Sequence, residues 1–328
     1  MRWIGWGLLG LVVLLAAGWL ALQRPDIPFA TLKARYANAQ SRWMDLPGGL
    51  SVHYRDEGLR TGPPIVLVHG FSASLQAWEP WVARLGDRYR IVSLDLPGHG
   101  LTEAPKGYPA SIDGNAEIVD QVARRLGLGP YVVAGNSMGG AVAWDLALRH
   151  PDRLRGLVLV DAAGWPVRTG RSGPPPLIFA LMGNPVGRLL VRDLDTRALA
   201  EKGLRSAYVD QRLVTPALVD RYVNLSRAPG HRDILLAIDN RPAAGPVTPA
   251  TFAAIRVPTL VMHGEQDALI PLAAGRAFAA AIRGAKLITY PGVGHVPMEQ
   301  IPDRSAADLT AFLEALPPSN PGPDESPK

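Results

Sequence analysis

The chain has no cysteine, so it can form no disulfide, offer no thiolate to a metal and use no cysteine nucleophile. Blocks of like charge are also missing. The formal net charge is +5 over 328 residues and is spread along the chain, which argues against nucleic acid as a partner. Its seven histidines include no pair at ligand spacing with a supporting carboxylate, and no phosphate-binding glycine loop occurs, so no metal and no cofactor are expected. No internal repeat is present. Apolar residues make up 47% of the chain, enough for one large α/β domain carrying an insertion.

One long apolar run breaks this evenness. Trp3 to Leu22 is uncharged and bracketed by Arg2 and Arg24; as a helix it would reach ~30 Å, the depth of a bilayer core. Trp3, Trp6 and Trp19 lie near its ends, where indoles favour the membrane interface. Residues 1–24 are therefore expected to be a single-pass membrane anchor, with a cleaved signal segment and a secreted protein as the alternative. Basic residues flank both ends, so the side of the membrane stays open. Residues 25–41 read as a linker holding a short helical stretch.

From Trp43 onward, strand-like and helix-like segments alternate. A hairpin over Arg42 to Leu46 and Leu50 to Arg55 turns at Pro47-Gly48-Gly49. Short buried-strand runs follow at 65–68, 90–94, 131–134, 157–160, 259–262 and 286–290, with helical lengths at 75–85, 112–126, 138–150, 272–282 and 304–316. Such spacing implies crossover connections and a mostly parallel sheet. The rhythm fails between Asp161 and Val257, where the Pro174-Pro175-Pro176 run and the mixed apolar stretches 177–182 and 186–191 suggest a helical lid. The expected organisation is a core in two parts, 42–163 and 257–316, a helical cap over 164–256 and a disordered tail over 317–328.

Chemistry enters at Gly135-Asn136-Ser137-Met138-Gly139, a Gly-x-Ser-x-Gly elbow directly after a buried strand. The flanking small residues let other segments approach a serine held in a strained conformation. A serine at its free pKa needs a base and an orienting acid. His295 follows the run 286–290 and Asp267 follows 259–262, so all three fall where strands end. His295 would take the Ser137 proton, and Asp267 would fix the imidazole tautomer. Asp161, ending the run 157–160, is a rival for the acid. Two amides would bind the developing oxyanion: that of Met138, at a helix start, and that of Phe71 in the loop His69-Gly70-Phe71-Ser72.

With HGFSAS at His69, DLPGHG at Asp95, GNSMGG around Ser137, HGEQD at His263 and GVGH ending at His295, the chain from about Trp43 to Leu316 resembles the α/β-hydrolase superfamily. The resemblance implies an α/β fold: a mostly parallel eight-stranded sheet flanked by helices, with a helical cap inserted after the sixth strand. An anchor ahead of such a domain is similar to the monoacylglycerol-lipase-like hydrolases.

Three functions compete. The first is a serine hydrolase cleaving carboxylic esters, lipid-like or acyl glycerol esters among them, through an acyl-enzyme on Ser137. The second is a carbon–carbon bond hydrolase of meta-cleavage type, although Val296 stands where those enzymes tend to carry tryptophan. The third is a ligand receptor that keeps the fold without catalysis. Epoxide hydrolases and haloalkane dehalogenases need an aspartate at the elbow, and Ser137 argues against both. The expected partners are a small-molecule ester, possibly a lipid, and the bilayer. His69 and His99 are read as loop-bonding residues, Asp95 as ordering its own loop, and His53 has no motif around it.

Overall fold

A computed structural model describes residues 2–166, 184–238 and 247–317. The elements run α1 (Arg2–Ala21), α2 (Phe29–Tyr36), β1 (Ser41–Leu46), β2 (Leu50–Gly58), β3 (Pro64–Val68), α3 (Glu79–Leu85), β4 (Arg90–Leu94), α4 (Ile112–Arg125), β5 (Tyr131–Asn136), α5 (Met138–Arg149) and β6 (Leu154–Val160). After β6 the described residues are helical through α6 (Pro185–Val191), α7 (Arg197–Ala207), α8 (Pro216–Ser226), α9 (His231–Ala237) and α10 (Pro249–Ala253). The sheet then resumes with β7 (Thr259–Gly264), α11 (Leu272–Ala281), β8 (Lys286–Tyr290), α12 (Pro297–Gln300) and α13 (Pro302–Glu314). The proline run 174–176, the stretch 177–182 and the tail beyond Pro317 lie outside the described residues.

Eight strands form one sheet in the order β1-β2-β4-β3-β5-β6-β7-β8. The β1–β2 and β2–β4 pairings are antiparallel and the rest parallel. Alternation along each strand decides its two faces. Val66, Val68, Val133, Leu157 and Leu159 join one core with Ile118, Val122 and Trp144 of α4 and α5. Ile65, Leu67, Val132, Val158 and Val160 join the other with Trp81, Leu309 and Phe312 of α3 and α13. Each such side chain contributes ~1.5–3 kcal/mol on full burial, so the two layers clamp the sheet and fix the heights at which its strands end.

Chain direction fixes the site's location. From β3 the chain crosses to β4 on one side, and β5 then forms on the other side of β3. At such a reversal the loops after neighbouring strands diverge and leave a crevice beyond their carboxyl ends. The loop His69–Ser72 and the elbow at Ser137 flank it.

The expected membrane anchor is corrected by the structure. Residues 2–21 do form a helix, but among the described residues no helix is long and apolar enough to cross a membrane. The end of the helix is tied to the segment after β6: Trp19 Nε1 donates to Leu190 O (2.9 Å), Arg24 N to Asp193 O (2.6 Å), and Arg24 pairs with Asp195 (3.0 Å). The segment after it is likewise packed on the body, with Leu32 of α2 buried beside Leu101, Leu225 and Ala228.

Candidate active site

Ser137 has φ 54° and ψ −118°, a conformation costing of order 1–3 kcal/mol for a residue with a Cβ. The surrounding glycines allow it. A Cβ on Gly135 would meet Gly139 O at 2.0 Å, and one on Gly139 would meet Val68 O at 2.1 Å, so the end of β3 touches the first turn of α5. A Cβ on Gly70 would lie 3.1 Å from the Ser137 Cβ, which places the Phe71 loop directly beside the serine. Ser72, next along that loop, also has positive φ, 58°. Met138 opens α5, where its amide has no partner within the helix and the helix dipole favours an anion.

His295 Nδ1 donates to Asp267 Oδ2 at 2.7 Å. Asp267 Oδ1 accepts from the amides of Leu269 (2.7 Å) and Ile270 (3.0 Å). Burial pushes the Asp267 carboxyl up, but the hydrogen bond and charge of His295 and the two amides outweigh it and hold it below its ordinary value. Both side chains are buried and Ser137 is half-buried. The histidine loop is fixed by its backbone: His295 N donates to Ala207 O (2.8 Å), and the Asn136 side chain donates to His295 O (3.0 Å) and Val160 O (3.2 Å). The sequence marks Asn136 only as part of the elbow; its side chain ties the elbow to the histidine loop. Among the described residues no hydrogen bond joins Ser137 Oγ to His295, and such bonds commonly tighten only when substrate binds.

Asp161, the rival acid, is fully buried with φ 46° and accepts from Gly264 N at 2.9 Å. It makes no hydrogen bond to His295. Asp161, His263 and Asp267 are the one trio of possible metal ligands among the described residues. The His263 Nε2–H already donates to Ile270 O (3.0 Å) and Asp267 has three donors, whereas Asp161 Oδ2 is buried without a hydrogen-bond partner.

A second serine–histidine–aspartate chain was not foreseen. His53 Nδ1 lies 2.6 Å from Asp95 Oδ2, and its Nε2 lies 2.9 Å from Ser41 Oγ. Asp95 also accepts from the amides of Leu75 and Leu101, both at 2.8 Å. Burial pushes the Asp95 carboxyl up, but the hydrogen bond and charge of His53, the nearby His69 and the Leu101 amide together outweigh it and lower it to about 2. His69 Nε2 accepts from Leu96 N (3.0 Å) and its ring packs on His99; burial holds both imidazoles below their ordinary values.

These features coincide with what the sequence is similar to. The α/β hydrolase fold family matches over residues 63–301, and the chain belongs to that family. Haloalkane dehalogenase 2 of Mycobacterium tuberculosis is 30% identical over 278 residues, covering 82% of this chain and 93% of that protein. The 2-hydroxymuconate semialdehyde hydrolase of a Pseudomonas species is 29% identical over 279 residues, covering 82% and 92%. Among solved structures, the enol-lactonase from Burkholderia xenovorans LB400 superposes with TM-score 0.68 at 28% identity, covering 83% of this chain and all of that one. The protein is accordingly a hydrolase. The narrower likeness to monoacylglycerol-lipase-like hydrolases rested on the anchor and falls with it.

Proposed function

We propose that the protein is a serine hydrolase that cleaves carboxylic esters through an acyl-enzyme on Ser137. One juxtaposition supports this above all: a strained serine whose Cβ lies 3.1 Å from where a Gly70 side chain would begin, on a chain that also carries a 2.7 Å His295–Asp267 pair. Ser137 Oγ attacks the acyl carbon as His295 accepts its proton, and the oxyanion is received by the amides of Phe71 and Met138. His295 then protonates the departing alcohol. In the second half-reaction it activates water against the acyl-enzyme.

The nucleophile's identity separates this reading from that of the dehalogenase relative. Serine displacing a halide would leave an ether, which offers water no carbonyl to attack, so the enzyme would stall after one event. An acyl-serine has that carbonyl. The enol-lactonase is named for a lactone, which is a cyclic ester. Phe71 and Leu269, apolar and about half exposed next to the oxyanion amide and the acid, suit an apolar acyl group, so acyl glycerols belong in the substrate panel. A second reading uses the same triad on a carbon–carbon bond and is supported by the semialdehyde hydrolase relative.

p-Nitrophenyl esters of rising chain length, together with a vinylogous dienoate diketone, decide between the two. Ester turnover with fluorophosphonate labelling of Ser137 is expected; equal ester turnover by wild type and Ser137→Ala would end both readings.

A further inference from the structure

Asp161 ends β6, Asp267 follows β7 and His263 lies on β7, and one oxygen or nitrogen of each lies within 4.8 Å of the others. All three are buried. Two carboxylates this close, away from water, cannot both be charged unless a cation sits with them. The groups facing them supply none. His263 Nε2–H is committed to Ile270 O and stands 3.6 Å from Asp161 and 3.8 Å from Asp267, too far for a hydrogen bond to either. Its Nδ1 side is closed by Gly275, where a Cβ would lie 2.6 Å away, and burial holds the ring below its ordinary pKa. His295 bonds Asp267 rather than Asp161, and Tyr290 on β8 is neutral. Among the described residues neither carboxyl pairs with an arginine or lysine.

One of the two therefore carries a proton, and the donor count says which. Asp267 receives three hydrogen bonds, all favouring its anion. Asp161 receives one, from Gly264 N to Oδ1; its Oδ2 is buried with no donor. Burial and the charge of Asp267 push the Asp161 carboxyl well above the usual range. A proton on Oδ2 turns an unsatisfied acceptor into a donor with an acceptor at hand.

We propose that Asp161 is a positioning residue for the triad: its carboxyl O–H donates to Asp267 and holds that carboxylate against His295 Nδ1. The proposal rests on the triad reading given above. Asp161 supplies Asp267 with a fourth hydrogen bond without adding a second charge, and the positive φ at Asp161 is the backbone's cost of aiming it there.

Asp161→Asn preserves both halves, an oxygen to accept from Gly264 and an N–H to donate to Asp267; Asp161→Ala removes both. With the full chain, Asp161→Ala is expected to lose about 10- to 100-fold in kcat with the acid limb of kcat/KM moved to higher pH, as Asp267 loses a donor that stabilises its anion. Asp161→Asn is expected to restore both rate and profile. Wild-type kinetics in the alanine variant, or an asparagine variant no better than alanine, overturns the proposal. Should alanine prevent folding, the infrared carbonyl band of a protonated carboxyl decides: it is expected in wild type and missing from Asp161→Asn, and identical spectra overturn the proposal. Spectra are taken well above pH 7, since burial pushes Glu299 up to about 7. Activity surviving in Ser137→Ala would refute the triad itself, whereas the infrared difference speaks to Asp161 alone.

Discussion

Ser41, His53 and Asp95 form a continuous hydrogen-bonded chain with contacts of 2.9 and 2.6 Å, while Ser137, His295 and Asp267 close only the histidine–aspartate contact, at 2.7 Å. By connectivity alone the first is the better relay. It is nonetheless sealed. Ser41 is 6% exposed and His53 and Asp95 are not exposed at all, so no substrate carbonyl can reach the hydroxyl. Ser137 is half-buried on a strained elbow beside a glycine loop and a helix start. A nucleophile needs an approach path and fixed donors where charge will develop, and a tidy ground-state network supplies neither.

The contrast breaks most sharply at the two serines. Ser137→Ala should lose ~10⁶-fold in kcat toward esters; a loss below ~10-fold would mean that the elbow is not the nucleophile. Next in size is His53→Ala, which leaves the Asp95 carboxylate buried without its partner and should cost ~3–5 kcal/mol in chemical denaturation. Acid sharpens the comparison further. The folded Asp95 carboxyl is lowered to about 2 from 3.8, so its stabilising contribution is present above pH 3.8 and lost as pH falls through about 2. A urea-midpoint series across that window should decline in wild type and flatten in Asp95→Asn. The smallest effect is expected at Ser41→Ala: ~1 kcal/mol of stability with kcat unchanged. Any large kinetic loss there would erase the distinction drawn between the two chains.

The residues of the proposed triad stand out in the sequence because each is locally marked: Ser137 by its glycines, and Asp267 and His295 by short turns after apolar runs. The sheet was legible for the same reason, since buried runs of β-branched residues at crossover spacing admit few arrangements. Boundaries shifted where geometry intervenes. The expected helix at 75–85 begins as a 3-10 turn over Leu75–Trp78, and β2 continues past Arg55 to Gly58 because it pairs with β4 as well as β1. The Ser41 chain carried no signature because it is assembled by strand pairing. Ser41 comes from β1, His53 from β2 and Asp95 from the end of β4, in a register that only the folded sheet defines. Asp161 could be seen as a candidate acid, but its neutral form follows from donor counts in three dimensions. The anchor is the correction on the other side: the apolar run 3–22 does form a helix, yet among the described residues no helix is long and apolar enough to cross a membrane.

Ser72, Ser137 and Asp161 are the described non-glycine residues with positive φ, and they stand at the carboxyl ends of β3, β5 and β6, three strands side by side. Among the described residues, backbone strain at residues with a side chain is thus gathered on one rim. Glycine at position 137 would relax the backbone but remove the proposed nucleophile.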